Sequence, residues 1–183
     1  MSSGTIVAKR YAKALFEAAQ SRNLVSPVEE ELRYTVQALA DNKEFEALLQ
    51  HPKLDLAAKK GMLTAVFQGK VSDIVYNTLM LLVERGRGTL VSALYDYYVS
   101  ISNEALGQAD ALVVSPMPLS EQEKQAVSVQ FGKLIGKTVR VENEVNPKLL
   151  GGIQVKIGDR LYDGSLSGKL SRIETRLKQN QAM

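Results

Sequence analysis

The sequence contains no cysteine, no tryptophan, a single histidine at position 51 and only five prolines. Without cysteine there are no disulfides, thiolate nucleophiles or thiolate metal ligands, and the redox compartment is left open. Serine–histidine catalysis or a multi-histidine metal site would have to rest on His51 alone. No apolar run approaches the about 20 residues that cross a bilayer; the longest, Leu79 to Val83, stops at Glu84 and Arg85. The opening Met1-Ser2-Ser3-Gly4-Thr5 has neither the basic-then-apolar build of a secretory signal nor the Arg- and Ser-rich build of a transit peptide. The expectation is a chain that stays soluble where it is made.

What is present is ordinary for a globular chain. It has 183 residues, 45% hydrophobic and 23% charged, enough for one domain of usual size or two small ones. Residues 1–105 carry 12 basic and 12 acidic side chains, whereas residues 106–183 carry 11 basic and 8 acidic ones. The second part is therefore mildly basic, which suits nucleic acid or an acidic protein surface without deciding between them.

The first hundred residues read as helices with start and stop signals. Ala8, Tyr11, Ala12, Leu15 and Ala19 recur at three and four and share one face of a helix from about Thr5 to Ser21. Ser26-Pro27-Val28-Glu29 reads as a capping box opening a second helix. Asp41, Asp55, Ser72 and Thr89 are placed to cap four more. The expected architecture is an all-α six-helix bundle over residues 1–105.

From Gly107 the texture changes. Ala109–Ser115 reads as a strand, and Ser120-Glu121-Gln122-Glu123 is a capping box for a helix with Val127, Phe131 and Leu134 on one face. Val139, Val141 and Val145 alternate with polar residues, as do Ile153, Val155 and Ile157, which is the mark of half-buried strands. A short strand at Leu161-Tyr162 and a last helix from Ser165 complete a small α+β domain over residues 106–183. Its expected order is strand, helix, three strands, helix.

The chemistry-bearing residue types do not assemble into a catalytic constellation. His51 sits at a helix end before Pro52 and reads as a dipole partner or a solvated side chain. Glu84-Arg85-Gly86-Arg87-Gly88-Thr89 has the glycines of a phosphate loop without its order, and reads as a helix C-cap and turn. Gly151-Gly152 lacks the third glycine of a dinucleotide fingerprint and reads as a bulge or close backbone approach. Glu29-Glu30-Glu31 reads as a solvated face in a first helical turn. No catalytic residue, cofactor or metal is expected.

The remaining features are surfaces. The helix from Ile74 to Val83 is apolar on more than one face, so it is either central in its bundle or packed on a partner as well. Val7, Tyr11, Ala14 and Ala18 form a second, small-residue face on the first helix, which permits close approach of another helix. In the last helix Leu166, Leu170, Ile173 and Leu177 form a narrow stripe, with Lys169, Arg172, Arg176 and Lys178 mostly off it. That stripe either docks on the small sheet or is a seam for a partner helix. Nucleic-acid binding by the basic second domain is the competing use of these charges, but its aromatic residues are scarce.

The segment Val7-Ala8-Lys9-Arg10-Tyr11-Ala12-Lys13-Ala14-Leu15-Phe16 resembles the opening of the delta subunit of bacterial and chloroplast F-type ATP synthase, whose mitochondrial relative is the oligomycin sensitivity-conferring protein. Val139, Val141, Val145-Asn146, Leu149, Gly151-Gly152-Ile153, Val155-Lys156 and the run Ile157-Gly158-Asp159-Arg160-Leu161-Tyr162-Asp163-Gly164-Ser165 are similar to the family's closing element. Between these ends the likeness is one of helix pattern and length. The resemblance implies a non-catalytic stator adapter. The N-terminal domain would take the N-terminal segment of an ATP synthase alpha subunit as a helix, between the first and fifth helices. The C-terminal domain would hold the C-terminal ends of the b subunits of the peripheral stalk.

Carried onto this sequence, the alpha site takes in Tyr11 and Ala14, extended to Ala18, Asn77, Met80, Leu81 and Glu84. The stalk site takes in Lys169, Arg172, Ile173 and Arg176. The resemblance further implies a peripheral place on the cytoplasmic side of a bacterial plasma membrane, with no membrane insertion and no nucleic acid.

Overall fold

A computed structural model of the chain describes residues 3–50 and 54–181. The chain divides into two compact units, Met1–Ser102 and Asn103–Met183. The first is all helical and the second is α+β.

In the first unit the elements are α1 (Ser3–Ser21), α2 (Val25–Asp41), α3 (Lys43–Gln50), α4 (Leu56–Phe67), α5 (Asp73–Glu84) and α6 (Val91–Leu106), which runs into the second unit; a 3-10 turn at Gly88–Leu90 precedes α6. The stripe expected on α1 is the one it buries: Ala8, Ala12 and Ala19 are fully buried and Leu15 nearly so, with Tyr11 half-buried at the edge. Small alanines there let α2 and α5 pack closely. Phe67 is fully buried between Tyr34 and Phe45, with ring centroids 6.4 Å away in each case. Tyr98 meets Phe16 edge-on at 6.1 Å and donates its hydroxyl proton to the Val25 carbonyl at 3.0 Å. Burial first, then the charges of Glu29 and Glu31, push the Tyr98 hydroxyl pKa up.

Several helix starts differ from the sequence reading. α1 ends in a tight turn: Leu24 N–H donates to the Ala19 carbonyl at 2.9 Å, Asn23 N–H to Gln20 at 3.1 Å, and Asn23 adopts φ 55°. This closure restarts the helix at Val25, so Leu24 is the N-cap, no side chain caps it, and Ser26 and Pro27 lie inside the first turn. The acidic run is a solvated face only at Glu30. Glu29 is buried, 3.9 Å from Arg33, and Glu31 accepts from Ser72 N–H and Oγ–H at 2.9 and 2.6 Å. Ser72 therefore donates its hydroxyl to α2 instead of capping α5 with it. Asn42, not Asp41, caps α3, accepting from Phe45 N–H at 3.1 Å. Asp55 is the N-cap of α4 but makes no side-chain cap bond, and α6 is preceded by the 3-10 turn instead of a Thr89 cap.

In the second unit the elements are β1 (Gln108–Ser115), α7 (Glu121–Ile135), β2 (Thr138–Val145), a 3-10 turn at Pro147–Leu149, β3 (Gln154–Ile157), β4 (Arg160–Asp163) and α8 (Leu166–Gln181). The sheet order is β2-β1-β3-β4, with β1–β2 parallel and the other pairs antiparallel. The parallel pair needs a crossover, which α7 supplies. The Ser120–Glu123 capping box expected from the sequence is formed, and bonds from the Ser120 hydroxyl and N–H hold the Glu123 carboxyl below its ordinary range. Ala111, Val113, Val127, Val139 and Val155 make the small core, with Phe131 stacked edge-on against Tyr162 at 5.2 Å. Leu134, expected inward, is 63% exposed, and Ile135 takes its place. Val145, at the end of β2 beyond the core, is likewise exposed.

The Gly151-Gly152 pair is a close backbone approach. Gly152 has φ +72°, and a Cβ there would lie 2.5 Å from the Gly164 carbonyl oxygen; a Cβ on Gly151 would lie 2.7 Å from Leu166 Cδ1. The backbones lock across this contact, with Gly164 N–H on the Ile153 carbonyl at 3.0 Å and Leu166 N–H on Gly151 at 2.9 Å. Gly158 also has positive φ but nothing within 4 Å of its virtual Cβ. Gly158→Ala should therefore cost about 1 kcal/mol of backbone strain, whereas Gly152→Ala adds a steric clash and should cost well over about 2 kcal/mol. Urea unfolding of both variants checks the difference; equal midpoints would remove the close approach as the reason for glycine at 152.

Candidate partner-binding surfaces

On α1, successive residues turn by about 100°, so Val7, Tyr11, Ala14 and Ala18 lie beside the buried stripe. Tyr11 and Ala18 are half-buried and Ala14 is exposed. On α5 the inward side chains are Val75, Leu79, Leu82 and Val83. Ile74, Tyr76 and Met80 are half-buried against the core, and Leu81 is 39% exposed. The all-round apolar character of α5 thus has two parts: most of it is covered within the unit, and Leu81 with exposed Asn77 is left outward. α5 packs on α1, and helical period puts these outward residues and the Tyr11–Ala14–Ala18 row away from the buried stripes of the two helices.

Met80 and Glu84 belong to a different row. Tyr76, Met80 and Glu84 follow at i and i+4, and both ends of the row reach α4. The Tyr76 and Thr64 hydroxyls lie 2.9 Å apart, and Glu84 forms an ion pair with Lys60. The hydrogen bond and charge of Lys60 lower the Glu84 carboxyl pKa, with Arg85 adding to it. Of the seven residues expected at this site, Tyr11, Ala14 and Ala18 share one row of α1, Asn77 and Leu81 are outward on α5, and the row of Met80 and Glu84 reaches α4. Arg87, not singled out from the sequence, donates to the Tyr11 hydroxyl at 3.4 Å. Only the folded return of the chain past the end of α5 reveals that contact.

The glycines after α5 form a C-cap. Gly86 has φ +66° and its N–H donates to Val83 at 3.0 Å, while Arg87 N–H donates to Leu82 at 2.7 Å. This paired pattern is the Schellman closure of a helix, not a phosphate cradle.

On α8, Leu166, Leu170 and Ile173 are 49%, 58% and 55% exposed, so the stripe is left largely open, with Leu166 lying against Gly151. Lys169 and Arg172 are exposed beside it, and Arg172 reaches the Asp163 carbonyl at 3.4 Å. The side chains of Arg176, Leu177 and Lys178 lie outside the described ones. Asp163 and the buried Ser165 build the start of the helix. Ser165 Oγ–H and N–H donate to Asp163 Oδ1 at 2.6 and 2.9 Å, and Gly168 N–H donates to Ser165 Oγ at 3.0 Å.

His51 lies outside the described residues, and among the described residues no group of His, Asp and Glu could hold a metal ion. Among the described residues no helix is long and apolar enough to cross a membrane. The aromatic pair Phe131 and Tyr162 is stacked within the small core, which removes it as a platform for nucleic-acid bases.

The bonds from the Ser165 hydroxyl, then its N–H, hold the Asp163 carboxyl below its ordinary range, with smaller contributions from Gln154 and Arg172. A depressed folded-state pKa means stabilisation that is present above the ordinary carboxylate range and lost as pH falls through the lowered value. Amide protection at Gly168 should fall on acidification over that window, and Asp163→Asn should flatten the response. A pH response unchanged in Asp163→Asn would assign it to another group.

The family described as ATP synthase delta (OSCP) subunit matches residues 7–177 of this chain. An ATP synthase subunit delta of Geobacillus sp. (strain WCH70) is 46% identical over 173 residues, covering 94% of this chain and 97% of that one. The corresponding subunit of Bacillus licheniformis is 46% identical over 176 residues, covering 96% and 95%. That of Bacillus cereus (strain B4264) is 44% identical over 182 residues, covering 99% and 100%. A chain in the cryo-EM structure of the Toxoplasma gondii mitochondrial ATP synthase hexamer shares the fold, with a TM-score of 0.68 at 22% identity over 93% of this chain and 96% of that one. Nearly the whole length is matched at an identity that fixes kinship, and the chain belongs to the ATP synthase delta (OSCP) subunit family.

Proposed function

We propose that this chain works as a two-ended tether in the stator of an F-type ATP synthase. A delta (OSCP) subunit is a structural part of that enzyme, linked to its peripheral stalk, and it performs no chemistry of its own. Residues 1–105, as a six-helix bundle, take the N-terminal segment of an alpha subunit as a helix laid between α1 and α5. Residues 106–183, in the order strand, helix, three strands, helix, hold the C-terminal ends of the b subunits through α8. The complex places the chain peripherally on the cytoplasmic side of a bacterial plasma membrane.

The observation that carries this reading is the pairing of small residues, Ala14 and Ala18, with outward Leu81 on a helix already covered on its other sides. A partner helix fits such a groove because the alanines permit close approach while Leu81 and Tyr11 supply apolar contact. On the second unit the support is the exposed Leu166–Leu170–Ile173 stripe, flanked by Lys169 and Arg172, with Arg176 on the same helix. Apolar seams edged by charge suit coiled-coil-like packing.

Rotation of a central rotor exerts torque on the catalytic head, which the stator must resist. Such a tether depends on slow dissociation more than on fast association. Two modest sites on one chain raise the hold through effective concentration. A nucleic-acid role for the basic second unit is not supported.

Replacing Ala14 by Asp puts an unpaired carboxylate into the closest part of the groove. Calorimetric titration of the full chain with an alpha-subunit N-terminal peptide should show affinity reduced by tenfold or more, about 1.4 kcal/mol. Unchanged affinity would remove Ala14 from the site.

A further inference from the structure

We propose that the groove between α1 and α5 fixes the direction of the helix it takes, by holding that helix's acidic end over Arg85 and Arg87. The proposal rests on the groove being the docking site and adds the chemistry and polarity of its occupant.

Two contacts establish which end of the groove is which. Ser72, immediately before α5, is bonded to Glu31 of α2, and Arg87, just after α5, is bonded to Tyr11 of α1. The end of α5 therefore lies beside Tyr11. Its first turn, with Asp73, is a helix length away, about 18 Å at about 1.5 Å per residue.

The charges differ between these ends. Arg85 and Arg87 are exposed at the Tyr11 end, and exposed Arg10 precedes Tyr11 on α1. The nearby carboxylate, Glu84, feels Arg85 but is committed to Lys60. The last carbonyls of α5 are met by Gly86 and Arg87 N–H groups, so they do not present an open negative end there. At the other end of α5 the charge is mixed, with exposed Asp73 and, three residues before it, exposed Lys70. Along α1, Lys13 and Glu17 lie 3.9 Å apart and offset each other. Between the ends the lining is small or neutral: Ala14, Ala18, Leu81 and Asn77.

An amphipathic helix can lay its apolar face on that lining in either direction, since alanine and leucine carry no polarity. Carboxylates at one of its ends break the tie. Over Arg85 and Arg87 they meet planar guanidiniums that pair carboxylates well; reversed, they would stand by the mixed Lys70–Asp73 charge, with no arginine there to pair them. Direction is thus set by the stronger attraction at the Arg85–Arg87 end.

The test is titration of the full chain with a peptide carrying the N-terminal segment of an ATP synthase alpha subunit, at low and at high salt. The double variant Arg85→Gln/Arg87→Gln should bind about fivefold more weakly at low salt and lose most of the salt dependence. Arg85→Gln alone, which keeps the Arg87–Tyr11 bond, should give part of that loss. Neutralising the acidic side chains of the peptide should abolish the difference between wild type and double variant.

A nitroxide on the acid-bearing end of the peptide should broaden the amide signals of Arg85 to Gly88, and one on the other end those of Asp73 and Ile74. The reverse broadening pattern, or unaltered affinity and salt response in the double variant, overturns the proposal. If Ala14→Asp still weakens binding in that case, the groove itself stands. If neither variant has an effect, or wild type does not bind, the groove reading falls with it.

Discussion

A helix that is apolar on nearly every side has to be covered on nearly every side, and the burial of α5 organises the first unit. Val75, Leu79, Leu82 and Val83 face the core, and the helix is fixed at both ends by contacts distant in sequence. Ser72 is held by Glu31 at the start; at the finish the Gly86 turn closes the helix and brings Arg87 onto Tyr11. Once α5 is central, α1 and α4 must flank it, which is where the Tyr11 hydroxyl contact and the Lys60–Glu84 pair arise. The small part of α5 that the unit leaves uncovered, around Leu81, is on a helix that packs on α1, which carries the exposed Ala14. The proposed docking groove is thus a continuation of the core packing.

Among its described residues the second unit has a small core. Five buried residues and the Phe131–Tyr162 pair form that core. Polar ties supplement it. Arg140 Nε donates to Asp110 at 2.8 Å, and Asn103 donates to the same carboxylate at 2.6 Å. Asn143 bonds the Val113 carbonyl at 2.9 Å and Ser115 Oγ at 2.7 Å, while accepting from Leu119 N–H at 2.8 Å. The glycine contact between residues 151–152 and 164–166 then sets where α8 begins. Its apolar stripe emerges exposed from that fixed start.

Much of this was legible in the sequence wherever the controlling interaction is local. The period of Ala8, Ala12, Leu15 and Ala19, the Ser120–Glu123 box and the glycine C-cap after α5 all act within a few residues, and each has the structure its spacing implied. In the acidic run Glu31 was misread because its partner is remote: it bonds a serine 41 residues away. The start of α2 was misplaced for a related reason. The turn through Asn23 closes α1 so tightly that the helix resumes before the Ser26-Pro27 signal. On α7 both Leu134 and Ile135 are close to the right angle, and the position of the small sheet decides between them. Helical period gives the Ala14 and Ala18 row on α1 and the outward place of Leu81 on α5. That Met80 and Glu84 turn toward α4 depends on Lys60 and Thr64, which no local pattern connects to α5.

The central claim is that one chain holds two partners at once through separate surfaces. It is tested most directly by sedimentation of the full chain with an alpha-subunit N-terminal peptide and a C-terminal fragment of a stalk b subunit, each bearing its own chromophore. The account predicts that both chromophores sediment together with the chain, and that saturating one partner leaves the other bound. Displacement of one partner by the other, or failure of the chain to carry either, would contradict it.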